Sequence, residues 1–345
     1  MNSVAASLPR RRTGHPVVLC ALGALLFATA LWSLTRGAMA IAPGEVIGAL
    51  LRWIDGTAAR GDDSIVLALR VPRLLLAVAV GAALATGGST MQGLFRNPLA
   101  DPGLIGVSAG AALGAVAAIV LGGQSGSWLV AVAAFFGGLV ATVLVFLLGK
   151  RRPGVANLLL AGVAINAIAM AGVGLLTYLA NENQLRDLTF WSLGSLGGAS
   201  WSRLGIVAPW IVLPLLCLPR AARALNALLL GDSEAALLGF RPERLQPFLV
   251  GLVALSVGAS VAFTGVIGFV GLVVPHLLRM VFGPDHRFLL PASALGGATL
   301  LVAADALART VVAPGELPIG VLTALVGGPF FLWLLLRRRV GESMS

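Results

Sequence analysis

Ten apolar stretches joined by short polar connections make up most of this 345-residue sequence. Crossing a bilayer as a helix takes about 20 apolar residues, and in lipid only helices and closed barrels satisfy their own backbone groups. Charged residues make up 11% of the chain, against roughly 25% in soluble domains. The pattern predicts an all-α polytopic membrane protein with about ten transmembrane helices, near residues 17–35, 65–91, 103–122, 128–149, 155–180, 205–219, 245–264, 266–282, 289–308 and 319–336.

These spans define the expected domain organisation. Residues 1–16 form a basic segment, residues 17–336 a single transmembrane domain, and residues 337–345 a short tail. If the amino terminus is cytoplasmic, most of the 24 lysines and arginines fall in connections on the cytoplasmic side. The positive-inside rule therefore predicts that both termini are cytoplasmic. The net charge of +10 then belongs to the membrane surface and does not indicate nucleic-acid binding.

A polar hinge separates the second and third apolar stretches. It runs from Arg96 to Pro102 and contains two prolines, which cannot donate a backbone hydrogen bond. Backbone groups in a membrane need partners, so a break of this kind belongs at a membrane surface or against a cavity. The alternative is a short cytoplasmic turn without a role of its own.

Three arginines lie at the ends of predicted spans. Arg70 and Arg73 open the second span, and Arg309 closes the ninth. Arginines at such positions can anchor a helix by extending to the membrane surface. They can also pair bidentately with carboxylates on a partner protein. A third interpretation applies to Arg309 alone, because Asp305 precedes it by four residues and could neutralise it along the helix.

The long connection of residues 220–246 is predicted to contain a short helix. Asp232 or Ser233 can cap its start, and Gly239 can end it. Its apolar face would carry Ala236, Leu237 and Phe240. A short helix in a polar loop has to bury that face, either on the spans themselves or in a groove of a separate soluble subunit.

The sequence contains no recognisable energy source or catalytic centre. A phosphate-binding loop needs a lysine followed by Ser or Thr, but the sole lysine, Lys150, precedes Arg151. His276 beside Pro275 is typical of a packing residue, and two cysteines within apolar runs do not suggest a metal site. We therefore expect no catalytic residue, cofactor or metal, and a partner ATPase as motor. An ion-coupled carrier and an intramembrane enzyme are the alternatives from other classes.

Several ordered motifs carry a family resemblance that extends from residue 65 to the end of the chain. The sequence resembles the permease subunits of ABC importers for iron chelates, hemin and vitamin B12. The motifs are Arg70-Val-Pro-Arg73, Asn97-Pro-Leu-Ala-Asp-Pro102, Leu160-Ala-Gly-Val-Ala-Ile-Asn166, Phe190-Trp-Ser-Leu-Gly-Ser195, Gly231 to Gly239, Gly265 to Arg279, Gly283-Pro-Asp-His-Arg287, Glu316-Leu-Pro-Ile-Gly320 and Gly327-Gly-Pro-Phe-Phe331.

The resemblance implies a type II ABC importer permease in the bacterial inner membrane. Such a permease forms a homodimer with the path on its two-fold axis, binds two ATP-hydrolysing subunits, and receives its ligand from a periplasmic binding protein. By motif, Arg70, Arg73 and Arg309 match the residues that dock the binding protein. Asn97 and Leu99 match the cytoplasmic gate together with Ala156 and Asn157, a pair that departs from the small hydroxyl residues of the B12 permease. The residues matching the ATPase-coupling helix are Asp232, Ser233, Glu234, Ala236, Leu237 and Gly239.

The substrate is less constrained than the transport class. Residues 184–201 resemble the hemin branch of the family, which places hemin ahead of a ferric siderophore and of cobalamin. The same residues are also compatible with a generic outer loop that carries interfacial tryptophans. In this class the binding protein selects the ligand, so the spans carry little information about it.

Overall fold

The computed structural model describes residues 15–37, 39–57, 61, 63–122, 127–150, 154–313 and 315–342. All regular elements in these ranges are helical. The α-helices are α1 (His15–Thr35), α2 (Pro43–Ile54), α3 (Val71–Leu94), α4 (Val107–Leu121), α5 (Ser127–Gly149), α6 (Val155–Leu179), α7 (Glu182–Leu193), α8 (Trp201–Cys217), α9 (Ala222–Leu228), α10 (Asp232–Leu237), α11 (Pro242–Thr264), α12 (Val270–Phe282), α13 (His286–Ala308) and α14 (Ile319–Glu342).

Ten of these helical segments correspond to the ten predicted spans. Within the described residues, 7 helices are long and apolar enough to cross a membrane. Three shorter apolar helices, Val107–Leu121, Val270–Phe282 and Ile319–Leu334, account for the remaining predictions. The prediction of an all-α polytopic protein is confirmed. α14 continues to Glu342, so the predicted tail from residue 337 begins as helix, whereas residues 1–14 and 343–345 lie outside the described ranges.

Small residues allow the central helices to approach closely. A Cβ atom placed on Gly81 of α3 would lie 2.4 Å from the carbonyl oxygen of Gly297 on α13. A Cβ atom on Gly88 would lie 1.8 Å from the carbonyl oxygen of Gly271 on α12. Close backbone contact through small faces is the usual basis of helix association in membranes. α3, α12 and α13 therefore pack at distances that only glycine permits.

The predicted hinge is a break between α3 and α4. The Arg96 N–H donates to the Gly93 carbonyl and the Asn97 N–H to the Gln92 carbonyl, which is the Schellman pattern that ends a helix. Arg96 occupies the left-handed position, with φ 51°, where glycine is usual. After a short 3-10 turn at Pro102–Ile105, the chain re-enters helix at Val107.

Two helices outside the spans lie at the end of the bundle that carries Arg70, Arg73 and Arg309, which we call the arginine end. These helices are α2 and α7. The α7 helix was not predicted, although its start has a capping box in which Asn181 and Gln184 bond reciprocally through side chain and backbone. A capping-box pattern at residues 181–184 was therefore the signal that could have predicted α7.

Candidate functional site

The hinge presents two of the predicted gate residues at the surface. The Asn97 side-chain oxygen accepts a hydrogen bond from the Leu99 N–H at 2.9 Å, and the Asn97 carbonyl accepts one from the Ala100 N–H at 3.1 Å. This tight turn leaves Asn97 exposed and the Leu99 side chain 49% exposed. A short side-chain to backbone bond of this kind replaces the helical bonds lost at the break.

The hinge becomes buried immediately after Leu99. The Asp101 carboxylate accepts from the Gly103 N–H at 2.7 Å, and the Asn166 amide on α6 donates to the Gly103 carbonyl at 3.0 Å. Asp101 also lines a cavity of ≈ 280 Å³ with Ser108 and Phe269. One half of the hinge therefore lies at the surface and the other half lies against a cavity. These are the two environments in which a break in a membrane helix can find partners for its backbone groups.

The other predicted gate residues open α6. Ala156 is exposed and Asn157 is half-buried in the first turn of that helix. The neighbouring Val155 and Leu158 line a cavity of ≈ 480 Å³ together with Phe95 at the end of α3. The end of α3, directly before the hinge, and the start of α6 thus border one cavity at the same end of the bundle, which we call the hinge end.

The α10 helix is the short helix predicted near residue 232. Gly231, not Asp232 or Ser233, occupies the N-cap position, and no side chain caps the helix. The capping prediction was therefore wrong by one residue: Asp232 lies in the first turn, where a carboxylate is favourable beside the helix dipole. Gly239, with φ +88°, ends the helix as predicted, in a Schellman motif closed by the N–H groups of Gly239 and Phe240.

The apolar side of α10 is partly unburied. Ala235 is buried, whereas Ala236 is exposed, and Leu237 is 89% exposed. Ser233 and Glu234 are also exposed, and Phe240 is half-buried. Leu237 therefore has no apolar surface to cover it within the described part of the chain.

An ion pair connects the hinge with α10. A terminal nitrogen of Arg96 lies 3.6 Å from Asp232, whose carboxylate also accepts from the Gln246 amide at 3.3 Å. Asp232 and Ala236 line the same ≈ 480 Å³ cavity as Phe95. The contacts of Arg96 and Gln246 with Asp232 were not predicted, although the sequence identified Arg96 as the start of the hinge.

At the arginine end, two of the three predicted arginines are buried and bond to the end of α1. Arg70 donates to the carbonyl groups of Leu34 and Met39. Arg309 donates to the Ser33 hydroxyl at 2.8 Å and to the Arg36 carbonyl at 2.9 Å. The last carbonyl groups of a helix lack intrahelical partners, and basic side chains commonly satisfy them. Arg70 and Arg309 thus fasten the end of α1.

Arg73 is held between two carboxylates. Its Nε lies 2.9 Å from Asp305, and its two terminal nitrogens each lie 2.8 Å from an oxygen of Glu316. Asp305 also pairs with Arg309 at 3.0 Å, so the pairing along the helix that was one interpretation of Arg309 is present. The hydrogen bond from Arg73 lowers the pKa of Glu316. Glu316 belongs to one of the sequence motifs, but its contact with Arg73 was not predicted from the sequence.

The described residues contain no group of three or more His, Cys, Asp or Glu side chains placed to hold a metal ion. What they do contain is a charge cluster at the arginine end, and a hinge linked to an exposed short helix at the hinge end. This arrangement defines a multi-spanning helical membrane protein with a distinct polar site at each end.

Comparison with known proteins gives the family. Residues 25–337 match the FecCD transport family. The chain is 55% identical over 284 residues to the hemin transport system permease protein HmuU of Yersinia pestis, covering 80% of this chain and 84% of that protein. It is 42% identical over 336 residues to the vitamin B12 import system permease protein BtuC of Klebsiella pneumoniae, covering 97% of each.

The fold agrees with that match. A solved structure described as an inward-facing conformation of a metal-chelate type ABC transporter superposes with a TM-score of 0.84 at 33% identity, covering 93% of this chain and 99% of that one. The protein belongs to the FecCD transport family and has the fold of an ABC importer permease.

Proposed function

We propose that this chain is the membrane permease of an ATP-driven importer that moves hemin from a periplasmic binding protein into the cytoplasm. It acts as a homodimer in the inner membrane, with two ATP-binding subunits beneath it and both termini cytoplasmic. The observation that carries the choice of hemin is the 55% identity to a hemin permease, compared with 42% to vitamin B12 permeases. A ferric siderophore and cobalamin are the other substrates to test.

The hinge end is the proposed cytoplasmic side, where α10 docks into the ATPase. Support comes from the exposed Leu237 side chain, because an apolar side chain in water at a helix surface is stabilised by a partner groove. Asn97 and Leu99 of the hinge form the proposed gate together with Ala156 and Asn157 in the first turn of α6. The Arg96–Asp232 contact supplies a physical connection between the docking helix and that gate.

The arginine end is the proposed docking surface for the binding protein. Arg73, with a side chain that is 12% exposed, is the least buried of the three arginines, whereas Arg70 and Arg309 are buried against the end of α1. Guanidinium groups bind carboxylates bidentately. The matching surface on the binding protein is therefore acidic.

The test is reconstitution of the permease with its ATP-binding subunit in liposomes, with the hemin-loaded binding protein outside. We expect hemin uptake that requires ATP and the binding protein, and little uptake of cobalamin or a ferric siderophore. Uptake by the permease alone, driven by an ion gradient, would instead support a secondary carrier. Equal or greater uptake of a siderophore or cobalamin would reassign the substrate and leave the importer class intact.

A substitution on α10 tests the ATPase contact within the same assay. Leu237→Glu places a charge in the proposed groove, where an unpaired buried charge is costly, so we expect loss of ATPase co-purification and of uptake. Val312→Glu, at an exposed apolar position of the arginine end, is the matched control and should co-purify normally. Normal co-purification and uptake in Leu237→Glu would contradict the proposal that α10 docks into the ATPase.

A further inference from the structure

We propose that Glu316 occupies, within this chain, the site at which Arg73 binds a carboxylate of the docking protein, and that docking exchanges one carboxylate for the other. The inference rests on the proposed function, because it needs a partner that docks at the arginine end. The proposal gives a role to Glu316, to which the sequence motifs assign none. In the free permease, Glu316 neutralises the charge of Arg73 until the binding protein docks.

The geometry of Arg73 supports exchange over simple addition. Both terminal nitrogens of its guanidinium are bound by Glu316, at 2.8 Å each, in the bidentate arrangement that an incoming carboxylate would also adopt. The third nitrogen, Nε, bonds to Asp305, which is buried. An incoming carboxylate that takes up this bidentate arrangement must therefore displace Glu316, since Asp305 lies beneath the surface.

Exposure distinguishes the two carboxylates that hold Arg73. The Glu316 side chain is 44% exposed, whereas those of Arg73 and Asp305 are 12% and 1% exposed. A partner approaching from outside meets Glu316 first. The exposed ion pair is also the weaker one, because solvent screens it.

The backbone on the carboxyl-terminal side of Glu316 is held in place. The Leu317 N–H donates to the Ala308 carbonyl at 2.9 Å, and the Ile319 N–H donates to the Gly194 carbonyl at 3.0 Å. Rotation of the Glu316 side chain is therefore enough to release the arginine, and the start of α14 keeps its position. Such a side-chain exchange requires no unfolding of the loop.

The charges of the cluster favour a carboxylate as the ligand. Arg70, Arg73 and Arg309 contribute three positive charges, and Asp305 and Glu316 two negative charges, which leaves one net positive charge on these five residues. When Glu316 rotates away, the guanidinium of Arg73 loses its surface counter-ion. An acidic side chain on the partner restores the pairing, whereas a basic or apolar one does not.

The experiment measures the affinity of the hemin-loaded periplasmic binding protein for the assembled importer in nanodiscs. Glu316→Gln removes the competing charge and keeps the side-chain shape, so we expect binding about two- to five-fold tighter. Glu182→Gln, which removes an exposed carboxylate from α7 at the same end, is the matched control and should bind like the wild type. Arg73→Gln should weaken binding.

The possible results distinguish the docking role of Arg73 from the exchange of carboxylates. Weaker binding in Arg73→Gln without any gain in Glu316→Gln overturns the exchange and leaves docking intact. Unchanged binding in Arg73→Gln overturns the docking role of Arg73 together with the exchange. An equal gain in affinity in Glu182→Gln would show that the net charge of that face, and not the position of Glu316, causes the tighter binding.

A measurement without the binding protein provides an independent readout. Phenylglyoxal modifies free guanidinium groups, and the labelling of Arg73 can be followed by mass spectrometry. We expect faster labelling of Arg73 in Glu316→Gln than in the wild type or in Glu182→Gln, with all three proteins monodisperse by gel filtration. Equal labelling rates would overturn the proposal that Glu316 covers this arginine.

Discussion

Arg70 and Arg309 have a structural role that their position at the end of a span does not predict. Each donates to carbonyl groups at or just beyond the last turn of α1, and each is buried. A buried carbonyl group that loses its donor pays the cost of an unmade hydrogen bond. Substitutions at these two positions are therefore expected to disturb folding before they disturb binding.

Arg70→Met tests this structural role. It removes two hydrogen bonds from a charged donor, each worth about 1.5–3 kcal/mol, so we expect a clearly lower thermal midpoint in detergent. Arg186→Met, at an exposed position on α7, is the control and should melt like the wild type. Equal midpoints for Arg70→Met and the wild type would leave Arg70 free to serve docking alone.

The Arg73–Glu316 pair predicts a dependence of stability on pH. The hydrogen bond from Arg73 lowers the pKa of Glu316 below its ordinary value of 4.5. A carboxylate with a lowered folded-state pKa stabilises the protein fully above its unfolded-state pKa, and that contribution is lost as pH falls through the folded-state pKa. We expect the difference in thermal midpoint between wild type and Glu316→Gln to be constant near neutrality and to shrink in acid. A difference that grows in acid would contradict the assigned direction.

At the scale of the element, α10 is helical because neighbouring residues stabilise it. A helix of six residues is too short to be stable alone. It is held by the buried Ala235, by the Schellman motif at Gly239, and by the contact of Asp232 with Arg96. A force applied to the exposed face of α10 therefore reaches the end of α3 through few contacts.

A charge swap tests that connection. Arg96→Glu should lower the amount of hemin transported per ATP hydrolysed, because it places two carboxylates opposite each other at Asp232. Adding Asp232→Arg should restore part of the loss, although a half-exposed pair is worth only ~0.2–1 kcal/mol. Arg244→Glu, an equal charge change at an exposed position of α11, is the control. If the double variant is as poorly coupled as Arg96→Glu, the ion pair does not transmit movement.

At the scale of the whole molecule, the proposed homodimer brings the two hinges together. A closed two-fold assembly places each residue near the axis opposite its own copy. We expect Leu99→Cys, in a background with Cys20 and Cys217 replaced by serine, to cross-link between protomers with a yield that changes with bound nucleotide. Leu230→Cys, exposed at the same end, serves as control. If the cross-linking yield at position 99 is the same with and without nucleotide, the hinge is a turn and not a gate.

Local signals in the sequence were enough to predict much of this protein. The apolar stretches predicted ten spans, because the need to satisfy backbone groups in lipid leaves helices as the simplest solution. The polar run from Arg96 to Pro102 with its two prolines predicted the hinge, and Gly239 predicted the end of α10. Each signal acts within about one helical turn or one span, so neighbouring residues suffice to read it. The cap of α10 was misplaced because Gly231 and Asp232 are both compatible with that role.

Tertiary structure alone decided the pairing of the charged groups. Arg73 meets Asp305 and Glu316 across separations of 232 and 243 residues. This contact forms because α3 and α13 pack closely through Gly81 and Gly297, which places their ends side by side. Arg96 meets Asp232 in the same non-local way. The sequence by itself determined the membrane spans and the break between α3 and α4. Helix packing determined which charges are buried, which are paired, and which carboxylate faces solvent, because these depend on distances between segments far apart in the chain.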